Sequence, residues 1–331
     1  MQKDVTEYFE TEVIPLIEQE LPDVASAMLL SVGPPFGLDI ADEHSDMYAT
    51  IYLENPLWKD RGGRLQLLLE ESFERFGANA TYCCNICVLP MSWLGEVRLF
   101  LETGAKAEEE LPWETVGLET LFEVQHNLIL RDPHGVYRKL REATAPDRFP
   151  RWLWKKLLID ELHGLVDELI ECKQLLKGGR ALEVFLYHAA LLEKAVRIGF
   201  LLNEQYYPTR DSLRWAYAKL PVAADQALPH IDAAVASDDP EQRVASLEAI
   251  LDTYRQHIHK KKILPSVNIL APMEAFPDSG ALGLSGELVW AQRCEAWSNP
   301  NWRQWITGCE DRAKKAGHAD SWWIWSLWGW K

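Results

Sequence analysis

The chain has 331 residues, 47% of them apolar and 25% charged, which is ordinary globular material for about two domains. Its 34 Lys and Arg stand against 50 Asp and Glu, a formal charge of −16, so attachment to nucleic acid through phosphate neutralisation is disfavoured. No apolar run reaches the roughly 18–20 residues of a membrane span, so stable membrane insertion is not expected.

Over residues 4–20 the apolar positions Val5, Phe9, Val13, Leu16 and Ile17 recur every three or four places, which predicts an amphipathic helix ending before Pro22. Residues 25–32 (ASAMLLSV) form an apolar run closed by Gly33-Pro34-Pro35 and read as a buried strand entering a tight loop. The β-branched and aromatic stretch 48–53 (YATIYL) reads as a second strand, residues 65–76 as a helix, and 82–89 and 97–101 as two further strands. Alternation of strand and helix over about 100 residues predicts an α/β layer. Cys84 and Cys87 have the spacing of half a zinc site, but no second Cys/His pair stands at finger spacing, so an apolar strand explains them better. The six cysteines show no repeating pattern, and no charged start with an apolar leader precedes the first helix; together these suit a reducing, cytoplasmic setting.

Charge and grammar both change further on. Residues 1–130 hold 24 acidic and 7 basic side chains, net −17, whereas residues 131–331 hold 26 and 27, net +1. The break predicts a domain boundary near residue 130, with an acidic front that either gathers cations or is simply well solvated. Beyond it, residues 151–176 carry Leu153, Trp154, Leu157, Leu158, Leu162, Leu165, Leu169 and Ile170 on one stripe, and residues 181–202 carry Leu182, Phe185, Leu192, Val196 and Gly199 on another. Gly178-Gly179 between them predicts a helical hairpin, extended into a bundle by 212–219 and 242–257. His257 and His259, followed by Lys260-Lys261-Lys262, read as a solvated helix end. A Pro- and Gly-rich connection over 264–286 leads to a last helix over 302–315. The final segment has five tryptophans in nine residues (Trp322, Trp323, Trp325, Trp328, Trp330), suited to packing on the body or across a homodimer rather than to a membrane surface, since Lys331 is its lone cation. The expected division is 1–130, 131–262 and 263–331.

The segment Leu30-Ser31-Val32-Gly33-Pro34-Pro35-Phe36-Gly37, followed by Asp42-Glu43-His44-Ser45-Asp46-Met47-Tyr48, resembles the nucleotidyltransferase superfamily that includes aminoglycoside and lincosamide nucleotidyltransferases and DNA polymerase beta. There an apolar strand ends in Gly-Ser, a second Gly follows, and Ser-Asp-x-Asp opens the next strand. The resemblance implies an α+β fold, a nucleotidyltransferase-like mixed sheet domain followed by an α-helical bundle, with any ligand in the cleft between them. It implies transfer of a nucleoside monophosphate from a Mg²⁺-bound nucleoside triphosphate to a hydroxyl or amine of a small acceptor. Gly33, Gly37 and Ser45 would line the nucleotide loop, Asp46 would hold metal, with Asp42 or Glu96 completing the set, and Asp160 or Glu161 would serve as base. The likeness extends through Trp113, the stretch 122–130 (FEVQHNLIL), which is expected to be strand, the turn Arg131-Asp132-Pro133-His134-Gly135, and Asn203 with Tyr206-Tyr207-Pro208. The residues themselves read Tyr206 and Tyr207 as aromatics lodged against the bundle after a helix stop.

Three features bear on activity. The residue paired with Asp46 is Tyr48, and a phenol does not chelate Mg²⁺ as a carboxylate does. The Ser expected after the first Gly is Pro34, which has neither hydroxyl nor N–H to offer a phosphate. Arg98, expected to share a strand face with Glu96 and Glu102, also opposes a dication there. A catalytically degenerate protein that keeps the fold as a ligand-binding or regulatory module therefore stands beside the active transferase.

Overall fold

The computed structural model describes residues 6–21, 29–38, 40–41, 45, 47–77, 84–92, 94, 113 and 116–261. The expected strand at 97–101, the last helix, the tryptophan tail and Asp42, Asp46, Glu96 and Arg98 lie outside the described residues. The chain is mixed α and β, and divides into two compact units, Met1–Phe149 with Tyr206–Ser212, and Pro150–Gln205 with Leu213–Lys331. The compositional break near residue 130 falls inside the first unit, because the strand ending at Arg131 is hydrogen-bonded into its sheet.

In the first unit a π-helical turn, Phe9–Val13, runs into α1 (Ile14–Glu20). Strand β1 (Leu29–Val32) is followed by a single helical turn, α2 (Pro34–Gly37), then β2 (Met47–Leu53), α3 (Gly63–Gly77) and β3 (Cys84–Pro90). Helix α4 (Leu118–His126), β4 (Leu128–Arg131) and α5 (Val136–Ala143) complete it. The strand order is β3-β2-β1-β4, with β2 and β3 parallel across the α3 connection and β1 antiparallel to both its neighbours. The stretch expected as strand over 122–130 is helical to His126, because Leu118, Leu121, Phe122 and Val124 bury one side of a helix; only its last residues enter the sheet.

Alternation along β2 sends Ala49, Ile51 and Leu53 into a core with Phe9, Val13, Ile17, Leu65 and Leu69, all at most 1% exposed. Removing that much apolar surface from water is the main stabilising term of this unit. Cys87 lies on β3 opposite Thr50, flanked by Ile86 and Val88 in the core. At β3, an edge among the described strands, the Gln66 amide donates to the Ile86 carbonyl (2.7 Å) and accepts from the Val88 N–H (2.8 Å), while the Trp58 indole N–H donates to the Val88 carbonyl (2.9 Å). These bonds occupy polar groups that would otherwise invite a foreign strand.

The second unit is helical. Helices α6 (Arg151–Lys177) and α7 (Ala181–Leu202) form the expected hairpin, turned at Gly179, whose φ of +69° favours glycine. Then come α8 (Leu213–Tyr217), α9 (Ala224–Ala236) and α10 (Pro240–Lys261). The buried stripe of α7 is Val184, His188, Leu191, Ala195 and Ile198, whereas Leu182 and Phe185 are 69% and 56% exposed. Apolar residues surround much of this helix, so a shifted stripe satisfies the same period. Within this core the Tyr254 hydroxyl donates to the Ala195 carbonyl (2.8 Å), leaving its oxygen to accept from Tyr217 (2.8 Å).

Candidate functional site

The face of β2 opposite the core carries Tyr48, Thr50 and Tyr52, so it is polar and hydroxyl-rich. Tyr48 is 55% exposed, while Thr50 and Tyr52 are half-buried. Half-buried Cys87 adds a thiol from β3, and α4 brings Glu123. Burial raises the Tyr52 phenol above its ordinary value, with Glu123 adding to the rise and a hydrogen bond from the Thr50 side chain opposing it. Glu123 is held towards its protonated form, first by burial and then by the charges of Glu119 and Asp211. The result is a patch in which hydroxyls and a readily protonated carboxyl can donate and accept hydrogen bonds.

A layer of side chains behind the patch fixes its shape. Asn127 donates to the Tyr137 hydroxyl (2.7 Å), and the Tyr137 ring is 3% exposed, which drives its phenol pKa up. Arg141 donates to the carbonyls of Val124 (2.7 Å) and Asn127, and so closes the C-terminus of α4 with a cation, as the helix dipole favours. The Gln125 amide bonds the Thr144 hydroxyl (3.0 Å), and the Tyr206 hydroxyl donates to the Thr144 carbonyl (3.0 Å). Tyr206 stacks edge-on against Phe149, which does the same with Trp113. It therefore belongs to the first unit and not to the bundle, where sequence reasoning had lodged it. The Asp132–Gly135 turn is as expected: Asp132, 5% exposed, accepts from the Arg138 N–H (3.0 Å), and Gly135 takes a φ of +65°.

Three amides of the glycine loop bond backbone carbonyls. The Gly33 N–H donates to the Tyr48 carbonyl at 2.7 Å, which brings the end of β1 against the start of β2 but uses the amide. Positions 34 and 35 are prolines without N–H groups, and the amides of Gly37 and Leu38 bond the Gly33 and Pro34 carbonyls. Gly37 is needed for packing: a Cβ there would overlap the His126 carbonyl. Ser45 is half-buried just ahead of β2. Mg²⁺ requires converging carboxylates, and among the described residues no group of three His, Cys, Asp or Glu is placed to hold a metal. Tyr48 offers a phenol where a carboxylate was expected beside the ion, and Asp42, Asp46 and Glu96, the residues expected to hold it, lie outside the described residues. Glu161, considered as a base, is half-buried on α6, where burial raises its pKa against the charges of Lys194 and Arg197. Lys194 forms an ion pair with Glu168 at 2.6 Å. That setting is a network between two helices.

Glu123 and Asn127 escape sequence reasoning because residues 122–130 read as strand, the apolar spacing of α4 being the available signal, while Tyr137 and Arg141 lie beyond that stretch, on α5. Glu123 gives a sharp expectation. A carboxyl whose folded pKa is raised costs stability as pH climbs from the ordinary carboxylate range through the folded value, and that cost persists above it. Glu123→Gln should therefore melt higher than the parent at about pH 7 and nearly level with it at about pH 4. Thermal melts at the two pH values decide this; a gain equal at both would contradict it.

Residues 113–215 match the model of a family described as a domain of unknown function, DUF4037. No curated protein matches the chain. Among solved structures, the chain is similar to the crystal structure of a nucleotidyltransferase-like protein from Exiguobacterium sibiricum 255-15, at 12% identity and a TM-score of 0.37, covering 84% of this chain and 89% of that one.

Proposed function

We propose that this chain is a nucleotidyltransferase-like protein in which the polar face of the sheet binds a small, hydrogen-bonding ligand and does not transfer a nucleotide. The Gly33 N–H···Tyr48 carbonyl bond carries the reading. It supports the correspondence with the superfamily, since it joins the glycine turn to the strand that follows the Ser45-Asp46 pair in sequence. It also removes a phosphate donor at the same place, beside two prolines and a phenol in the second carboxylate's position. Around the patch, Glu119, Glu123 and Asp211 would repel an uncompensated triphosphate, whereas Thr50, Tyr52 and Glu123 suit a neutral hydroxylated or heterocyclic ligand. A regulatory or sensing role follows for such a module.

Calorimetric titration of the full chain with adenosine, guanosine and their triphosphates, with and without Mg²⁺, tests the reading. Nucleosides should bind at least as well as triphosphates, and Mg²⁺ should change neither. Tightening of a triphosphate by about tenfold or more on adding Mg²⁺ would favour the transferase instead.

A further inference from the structure

A cavity of about 260 Å³ lies within the helical unit, lined by the first turns of α6, the end of α7 and the last turns of α10. Its apolar wall is Trp154, Leu158, Leu201 and Leu202, each at most 7% exposed, with Val222 beside them. Around this wall stand Arg151, Lys155, His257 and Lys261, with Glu204 the single carboxylate among the described lining residues. Residues 131–331 are nearly neutral, at net +1, so this is a local concentration of positive charge.

Helix economy explains half of it. Lys261 and His257 lie in the last turns of α10, where a cation is favoured by the helix dipole, and His257 was expected there as a solvated end. Yet His257 is half-buried on the cavity wall, with its pKa lowered by burial and then by Lys261 and Lys260. Arg151 and Lys155 are the reverse case: they occupy the first turns of the 27-residue α6, which has no acidic residue in its opening turn, and cations there oppose the dipole. They are also one turn apart on the same side, where like charges repel. Placing cations against local preference, around buried apolar side chains, is what an anionic ligand with an apolar body would require.

We propose that this cavity is a binding site for a phosphate monoester carried on a compact, flat apolar group. Among the described lining residues Arg151, Lys155 and Lys261 outnumber the carboxylate of Glu204, a balance that suits a phosphate dianion better than a monoanionic carboxylate. The indole of Trp154 and the leucines receive the apolar body. The volume falls just below the roughly 300–1,000 Å³ of drug-sized pockets, so the ligand is small. The proposal is independent of what binds the sheet face, since every lining residue belongs to the helical unit.

Phenyl phosphate titrated calorimetrically into the full chain should bind saturably at one site, and more tightly than inorganic phosphate or benzoate. Arg151→Gln and Lys261→Gln, both at exposed positions, should each weaken binding by about fivefold or more, while Lys177→Gln at the far end of α6 should not. Circular dichroism confirms that the variants are folded. No saturation by about 10 mM phenyl phosphate, equal affinity for benzoate, or unchanged affinity in both cavity variants would overturn the proposal.

Discussion

Gly37→Ala is expected to destabilise the first unit by about 3 kcal/mol or more, although alanine is the better helix former by about 1 kcal/mol. The added methyl would overlap the carbonyl of His126, which is backbone at the end of α4 and cannot swing aside as a side chain could. Relief requires moving α2 away from α4 and β4, and with it the turn that follows β1. Gly33→Ala is the contrasting case. A Cβ at 33 stands 3.4 Å from the Tyr48 carbonyl oxygen and 3.5 Å from the Tyr48 Cβ, an ordinary contact, so the change should cost less than about 1 kcal/mol. Urea denaturation of the two variants separates a packing glycine from one the fold tolerates losing. Equal costs would contradict the assignment.

A comparably large loss is expected for Gly199→Ala in the helical unit. The new methyl would meet the Tyr217 ring, which is 1% exposed and hydrogen-bonded to Tyr254, itself fully buried and bonded to the Ala195 carbonyl. Burial holds the Tyr217 phenol up at about 12, so it remains a donor throughout the usable pH range. Displacing the ring breaks the hydroxyl chain and overpacks α7 against α8, together costing about 2–4 kcal/mol. The strain needs the ring. In a Tyr217→Ala background, Gly199→Ala should therefore be nearly neutral, a coupling of about 2 kcal/mol by double-mutant cycle. Additive losses would place the cost elsewhere.

The long helices were the most legible part of the sequence. Gly178-Gly179 and the leucine stripe of α6 gave the hairpin to within one residue, because 27 residues of 3.6-fold periodicity leave little choice of length. What they left open was rotation, and the exposed Leu182 and Phe185 on α7 show how a helix with several apolar faces conceals which one is buried. Strand β2 was legible because YATIYL alternates, and the same alternation placed Tyr48 away from the core. The stretch FEVQHNLIL was not, since a short helix and a short strand share nine residues there. Glu123, Asn127 and Tyr137 converge only when α4 and α5 fold back towards β2, a long-range fact that local pattern does not carry. The engagement of the Gly33 amide by Tyr48 is of the same kind: the motif named both residues, but only the ladder between β1 and β2 joins them.

Pyrophosphate release from nucleoside triphosphates in the presence of Mg²⁺, measured on the full chain across the common acceptor classes, tests the account most directly. With the Gly33 amide bound to Tyr48 and a phenol where the superfamily it resembles carries a second carboxylate, release should not rise above the protein-free rate. Sustained, chelator-sensitive release by the unmodified chain would contradict it.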